Sequence, residues 1–290
     1  MLTFEYLRPV TVDAAVAALM DGDARALAGG TDLIPQIREG RRHATRIVDL
    51  KHIGEVTAIS IRDDGSVSIG AAATATAVAR HPAIAGAFPA VAQSARLIGS
   101  LQVQNRASLG GNICNAAPSA DAVPALIAHA ARAVIAGRHG RREVDLSELL
   151  RGPGRTSLEP GELLVAIVLP PPAPRSAACY LRFTPRREMD IAIAGAAAWI
   201  DLDARGAIAA ARIVLASVAP TAIRAPSAEK KLVGGRPTPA LLAEAGRLAA
   251  QDARPISDTR GSADYRRTLV SVLTMRALTD CCAQIEAMAA

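Results

Sequence analysis

Aromatic side chains make up only 2% of this 290-residue chain, although 50% of it is hydrophobic. Alanine, valine, leucine and isoleucine must therefore fill the core, and no row of rings is available for stacking nucleic-acid bases. Lysine is almost missing as well: with only Lys51, Lys230 and Lys231 present, arginine carries nearly all of the 33 positive charges. The arginines fall in scattered pairs such as Arg41-Arg42, Arg141-Arg142, Arg186-Arg187 and Arg266-Arg267, and form no stripe. A net charge of +6 so distributed argues against nucleic-acid binding and leaves a basic face for an acidic partner subunit. The four cysteines (Cys114, Cys179, Cys281, Cys282) include no C-x-x-C, and the five histidines lack ligand spacing, so no metal site is expected. The longest apolar run, Ile191 to Ile200, is about half of the ~20 residues a membrane span needs. Glu5 sits inside the N-terminal stretch, which has no basic-then-apolar leader, and the expected location is the cytoplasm.

What is there reads as alternating small elements. Phe4 to Leu7, Arg25 to Ala28 and Arg46 to Leu50 have strand character, and Thr11 to Met20 is a helix with Thr11 or Asp13 near its cap. Val56 to Ile61 and Val67 to Gly70 are expected strands joined by an Asp63-Asp64-Gly65 hairpin turn. Thr74 caps a helix over Ala75 to Arg80, Pro89 starts another, and Leu163 to Leu169 is a buried strand. The run Pro170-Pro171-Pro172-Ala173-Pro174 is a stiff linker and the clearest boundary in the chain. After it come three strands, Tyr180 to Phe183, Ala194 to Leu202 and Ile208 to Val218. Helices then follow from Ser227, Pro239 and Ser262. This order predicts an α+β domain, an antiparallel three-stranded sheet with three helices on one side. The expected units are residues 1–55, 56–172 and 175–290.

Two glycine loops carry the chemistry. In Ala107 to Leu126, Gly110 and Gly111 allow positive φ and close approach of backbone N–H groups to a ligand, and Ser108 and Asn112 flank them. Pro118-Ser119-Ala120-Asp121 then opens a helix, with Ser119 or Asp121 as its cap. Upstream, an apolar run ends in Gly29-Gly30-Thr31-Asp32 before another helical turn. Each loop alone is either an ordinary glycine turn or a cradle for a phosphate at a helix N-terminus. Neither fits G-x-G-x-x-G or G-x-x-x-x-G-K-[ST]. Together they suit a long ligand with two phosphates. No Ser-His-Asp order or carboxylate pair stands out, so a redox cofactor would have to bring the reactivity.

Four stretches in order, AGGTDLIPQIREG (Ala28 to Gly40), GSLQVQNRASLGGNICNAAPSADAVPAL (Gly99 to Leu126), YLRFTPRREMDIAIA (Tyr180 to Ala194) and GSADYRRTLVSVLTMRAL (Gly261 to Leu278), give a further indication. Over nearly its whole length the chain resembles the FAD-binding medium subunit of the molybdenum hydroxylases, the xanthine dehydrogenase and carbon monoxide dehydrogenase family. The resemblance implies a two-part N-terminal FAD-binding domain of the PCMH type, followed by a C-terminal domain like that of the carbon monoxide dehydrogenase flavoprotein. It implies non-covalent FAD held by Leu27, Ala28, Gly29, Gly30, Thr31, Asp32, Leu33 and Ile34, and by Ser108, Leu109, Gly110, Gly111 and Asn112. Asp121 would accept from cofactor hydroxyls, or serve as a plain helix cap. Ile98 and Leu164 would line the cofactor, or belong simply to the core.

Arg182 stands where some relatives have lysine, either as a cation near the flavin ring or as a surface arginine. The arginine keeps the charge but cannot readily lose a proton. Cys114 reads as a small buried thiol. The implied partners are a small subunit with 2Fe-2S clusters and a large subunit with the molybdenum cofactor, as a dimer of heterotrimers. Electrons would pass through this FAD to NAD, oxygen or a quinone. The extra 4Fe–4S cluster of some members has no cysteines here to hold it. Rival readings are a self-contained flavin oxidoreductase and a non-redox anion-binding scaffold.

Overall fold

The computed structural model describes residues 3–186 and 189–289. The chain opens with a three-stranded parallel sheet in the order β1-β3-β2, from β1 (Glu5–Leu7), β2 (Ala24–Leu27) and β3 (Arg46–Asp49). The Val12–Leu19 helix joins the first two strands, and the Thr11 hydroxyl accepts from the Ala14 N–H at 3.2 Å, so Thr11 is its cap.

A five-stranded antiparallel sheet follows in the order β4-β5-β10-β6-β7. It comprises β4 (Ile59–Ile61), β5 (Val67–Gly70), β6 (Arg132–Gly137), β7 (Gly140–Asp145) and β10 (Leu163–Leu169), while the hairpin of β8 (Leu150–Gly152) and β9 (Arg155–Thr156) stands apart. The expected strand from Val56 is shorter than its β-branched residues imply. Gly54–Thr57 is a helical turn that turns Val56 into the core, and the strand begins only at Ile59. Every residue of β10 is buried, which is why it reads as an unbroken apolar run with no alternation.

The C-terminal antiparallel sheet has the order β11-β12-β13-β14, with β12 (Ala194–Leu202) as expected, β11 (Ser176–Phe183) starting four residues before the expected Tyr180, and β13 (Ile208–Ala216) ending two residues before the expected Val218. A two-residue strand, β14 (Ile223–Arg224), extends its edge, too short for any periodicity to announce. The helices Pro226–Leu232, Pro239–Asp252 and Ala263–Ala289 follow it in the chain. The sheet is buried on both faces. Ala177, Cys179, Ala194, Ala196, Ala198 and Ile200 share a core with the three C-terminal helices. Ala178, Tyr180, Ala197, Trp199 and Val214 join the core of the preceding unit. A sheet sandwiched this closely favours alanine along its central strand, and β12 carries four. No helix among the described residues is long and apolar enough to cross a membrane.

Candidate cofactor site

The first loop leaves β2 at Leu27, which packs with Ile37, Ala44 and Ile47. Gly30 turns the chain at φ +76°, a region that a Cβ would penalise. The Leu33–Arg38 helix follows, and Ile34 is left exposed at its first turn. Among the described residues none accepts a hydrogen bond from the N–H groups of Gly29, Gly30, Thr31, Asp32 or Leu33. Five successive open donors before a helix N-terminus form a cradle for an anion.

The second loop differs from its reading. Neither Gly110 nor Gly111 has positive φ; both lie in the first turn of the Leu109–Asn115 helix. Gly110 is glycine for packing: a Cβ there would stand 2.4 Å from the Ala71 carbonyl oxygen, and its N–H already donates to that oxygen at 3.0 Å. The Gly111 N–H is taken by the Ser108 hydroxyl at 3.0 Å. The donor left without an acceptor among the described residues is instead that of Ser108, since the Leu109 N–H faces the Ala73 carbonyl across the Thr74–Ser108 bridge. An amide buried without a partner is costly, so open N–H groups at such positions point to a ligand.

The two loops touch. A Cβ on Gly29 would fall 1.9 Å from the Arg106 carbonyl oxygen and 2.8 Å from the Ala107 nitrogen. The glycine thus brings the first row of donors against the backbone that leads into Ser108. Gln36 adds a side-chain link, donating to Asn115 at 3.1 Å.

Lys51, which no motif marked, is tied to the first loop. Its ammonium donates to the Ala28 carbonyl at 3.1 Å and pairs with Asp49, whose carboxylate is buried. Burial pushes the Asp49 carboxyl up, but hydrogen bonds from Lys51 and Tyr6 outweigh it and hold the group below its usual range. The one signal in the sequence was rarity, a lysine in an arginine-rich chain.

Asp121 holds the N-cap position of the Ala122–Ala128 helix but does not cap it with its side chain. The Ala122 N–H donates to Asn112 Oδ1 at 3.3 Å, and Asp121 makes no capping bond. Its carboxylate instead accepts from the Tyr180 hydroxyl at 3.1 Å and from the Arg182 guanidinium. Desolvation pushes Asp121 up to about 6, against the opposing pull of Arg182 and Tyr180. Arg182 is no surface residue: its side chain is 7% exposed. Tyr180 went unnoticed in the sequence, where a lone tyrosine on a strand carries no mark. Ile98 and Leu164 both sit in the main core with Leu109, 8% and 2% exposed. Cys114, partly buried, has its thiol pushed up to about 12 by desolvation and stays protonated. Asp190 orders its own loop, accepting from the Arg186 and Ile191 N–H groups at 3.3 and 2.8 Å; Arg187 and Glu188 of that motif lie outside the described residues.

A row of open backbone donors joined to the open Ser108 amide, a cation bound to the first loop and a buried acid–arginine pair define a class, a protein that holds a phosphate-bearing cofactor between loops. Comparison with known proteins gives the family. Residues 2–172 match the FAD binding domain in molybdopterin dehydrogenase, and residues 179–281 match the CO dehydrogenase flavoprotein C-terminal domain. The carbon monoxide dehydrogenase medium chain of Hydrogenophaga pseudoflava is 33% identical over 278 residues, covering 95% of this chain and 96% of that one. The xanthine dehydrogenase FAD-binding subunit of Escherichia coli is 32% identical over 277 residues, 95% of this chain and 94% of the relative. Among solved structures, carbon monoxide dehydrogenase from Hydrogenophaga pseudoflava superposes with a TM-score of 0.92 at 33% identity, covering 97% of this chain and 98% of that chain. Quinoline 2-oxidoreductase from Pseudomonas putida gives 0.91 at 30% identity, with 98% of each chain covered. The chain belongs to the FAD-binding subunits of the molybdopterin dehydrogenases, and it is the flavoprotein part of an oxidoreductase.

Proposed function

We propose that this chain holds FAD non-covalently and passes electrons between a partner subunit carrying 2Fe-2S clusters and a terminal acceptor. The observation that carries the reading is the junction at Gly29, where a row of open N–H groups meets the backbone leading to the open Ser108 amide. Bound FAD supplies the redox chemistry, and the protein supplies position and electrostatics. The amides of Gly29 to Leu33, with that of Ser108, would bind the pyrophosphate. Leu27, Ala28 and Ile34 flank the first row, and Gly110, Gly111 and Asn112 fix the second loop by packing and capping. Arg182 sets a permanent cation at the cofactor, held in place by Asp121, and such a cation favours the negatively charged reduced form. Asp121 keeps lone pairs for cofactor hydroxyls beside those used by Tyr180 and Arg182. Cys114, held protonated, is no candidate for covalent attachment.

The working assembly has the large molybdenum-cofactor subunit and the small iron–sulfur subunit as partners, in a cytoplasmic dimer of heterotrimers. Residues 1–55 and 56–172 form the two parts of the cofactor domain, and residues 175–290 form the wall that carries Arg182. The test is an absorption spectrum of the purified full chain, followed by denaturation and identification of the released chromophore. FAD is the expected product; a chain that stays colourless in the assembled complex as well refutes the reading.

A further inference from the structure

Arg182 does more than pair with Asp121: it also lines a cavity of about 340 Å³. Arg80 and Arg96 stand in the same wall, and among the described residues neither pairs with a carboxylate. Arg96 is fixed on both sides. Its guanidinium donates to the Ala79 carbonyl at 2.8 Å, and its own carbonyl accepts from buried Gln104 at 2.7 Å. The rest of the lining includes Leu97, half-buried, and Leu101, exposed, as its apolar part. A concave site with two guanidiniums lacking counter-ions focuses positive potential, and a guanidinium fork matches sulfonate, carboxylate or phosphate oxygens in pairs. The volume lies at the lower end of what small-molecule sites occupy, roughly 300–1,000 Å³.

We infer that this cavity seats the terminal electron acceptor, a small molecule with an anionic head and a flat apolar body. The inference rests on the reading of the chain as the FAD-carrying subunit, since Arg182 then faces the cofactor on one side and the cavity on the other. Arg80 and Arg96 take the anionic head, and Leu97 and Leu101 cover the planar body. Neutral quinones would leave both guanidiniums without a partner and bind less well. With FAD bound, a quinone-type acceptor would take two electrons and one proton from the anionic reduced flavin and a second proton from solvent, so that both of its carbonyl oxygens become hydroxyls as FAD is oxidised.

The test uses the full chain loaded with FAD and two probes that differ chiefly in charge, naphthoquinone sulfonate and menadione. Calorimetric titration is expected to show the sulfonate binding at least about ten-fold more tightly. In the double variant R80Q/R96Q that preference should fall by about ten-fold or more, with bound flavin per chain unchanged. Anaerobic reoxidation of the dithionite-reduced chain should follow the same order. Equal affinity for the two probes in the FAD-loaded wild type, or a preference that survives in the double variant, overturns the inference while leaving the cofactor reading intact. Loss of FAD from the double variant also overturns it, because the cavity would then belong to the cofactor itself. A wild-type chain that takes up no FAD removes the cofactor reading and this inference with it.

Discussion

Gly29→Ala is the sharpest probe of the joined loops. The added methyl would lie 1.9 Å from the Arg106 carbonyl oxygen, 2.4 Å from its carbon and 2.8 Å from the Ala107 nitrogen. All three atoms are backbone, so no side chain can swing aside, and the loops must part by roughly 1 Å to restore ordinary contact. Overpacking of this kind costs about 1–3 kcal/mol. If the loops separate to relieve it, the first row of donors and the Ser108 amide no longer meet the same ligand. That corresponds to FAD affinity roughly five-fold to a hundred-fold weaker, at a factor of ten per about 1.4 kcal/mol. The assay is FAD titration of the full chain, alongside thermal unfolding with and without FAD. Gly22→Ala is the control, since a Cβ there meets nothing within 4 Å. FAD affinity equal to wild type in Gly29→Ala would show that the contact does not shape the site.

Three more perturbations have defined outcomes. Asp121 is held near 6, above its ordinary 3.8, so between these values the folded chain keeps a proton that the unfolded chain has lost. Stability should therefore fall as pH rises through that window, by an amount on the order of 3 kcal/mol, and then level off. Asp121→Asn should flatten that part of the denaturation-midpoint profile; parallel profiles would refute the assignment. Lys51→Met frees the Ala28 carbonyl and strips an ammonium from buried Asp49. It is expected to cost about 2–3 kcal/mol in urea unfolding and to weaken FAD binding, whereas a purely structural lysine would leave FAD affinity unchanged. Arg266, 4% exposed, donates to the Ile193 and Ser217 carbonyls at 2.6 and 3.1 Å and to Asp258 at 2.7 Å. Arg266→Ala leaves the Ile193 and Ser217 carbonyls without their donor and should lower stability by about 2–3 kcal/mol, and a midpoint near wild type would sink that reading.

Much of the architecture was legible because it follows local rules. The caps at Thr11 and Thr74, the buried strand Leu163–Leu169 and the strands Ala194–Leu202 and Ile208–Ala216 come from side-chain hydrogen bonding and runs of apolar residues. The site was legible in its parts and not in its wiring. Gly-Gly marks a place where a Cβ is excluded, but it does not say whether the excluding atom belongs to a ligand, to Ala71 or to Arg106. Asp121 beside a helix start invites a capping role, and only the return of β11 supplies Tyr180 and Arg182 to take the carboxylate instead. Contacts between residues about sixty positions apart have no local signature. Lys51 is the same case, since its acceptor at Ala28 lies on a different strand–loop unit.

The period of β11 explains why the C-terminal domain is needed at the cofactor. Successive side chains of a strand point to opposite faces. Cys179 packs with the C-terminal helices, whereas Ala178 and Tyr180 pack with the preceding unit, and Arg182 follows in the same phase to meet Asp121. The register that buries alanine on both faces of this sheet is therefore also the register that aims a tyrosine and an arginine at one carboxylate. A slip of one residue against β12 would turn Arg182 towards the apolar helices and leave Asp121 without either partner. Further along the same sheet, Arg266 holds the Ser217 carbonyl while the Ser217 N–H donates to Pro118 at 2.9 Å, three residues before Asp121. The acid is thus fixed from both sides, by its own partners on β11 and by the loop that carries it. Packing of the C-terminal sheet and geometry of the cofactor site are for this reason one problem, solved by one strand register.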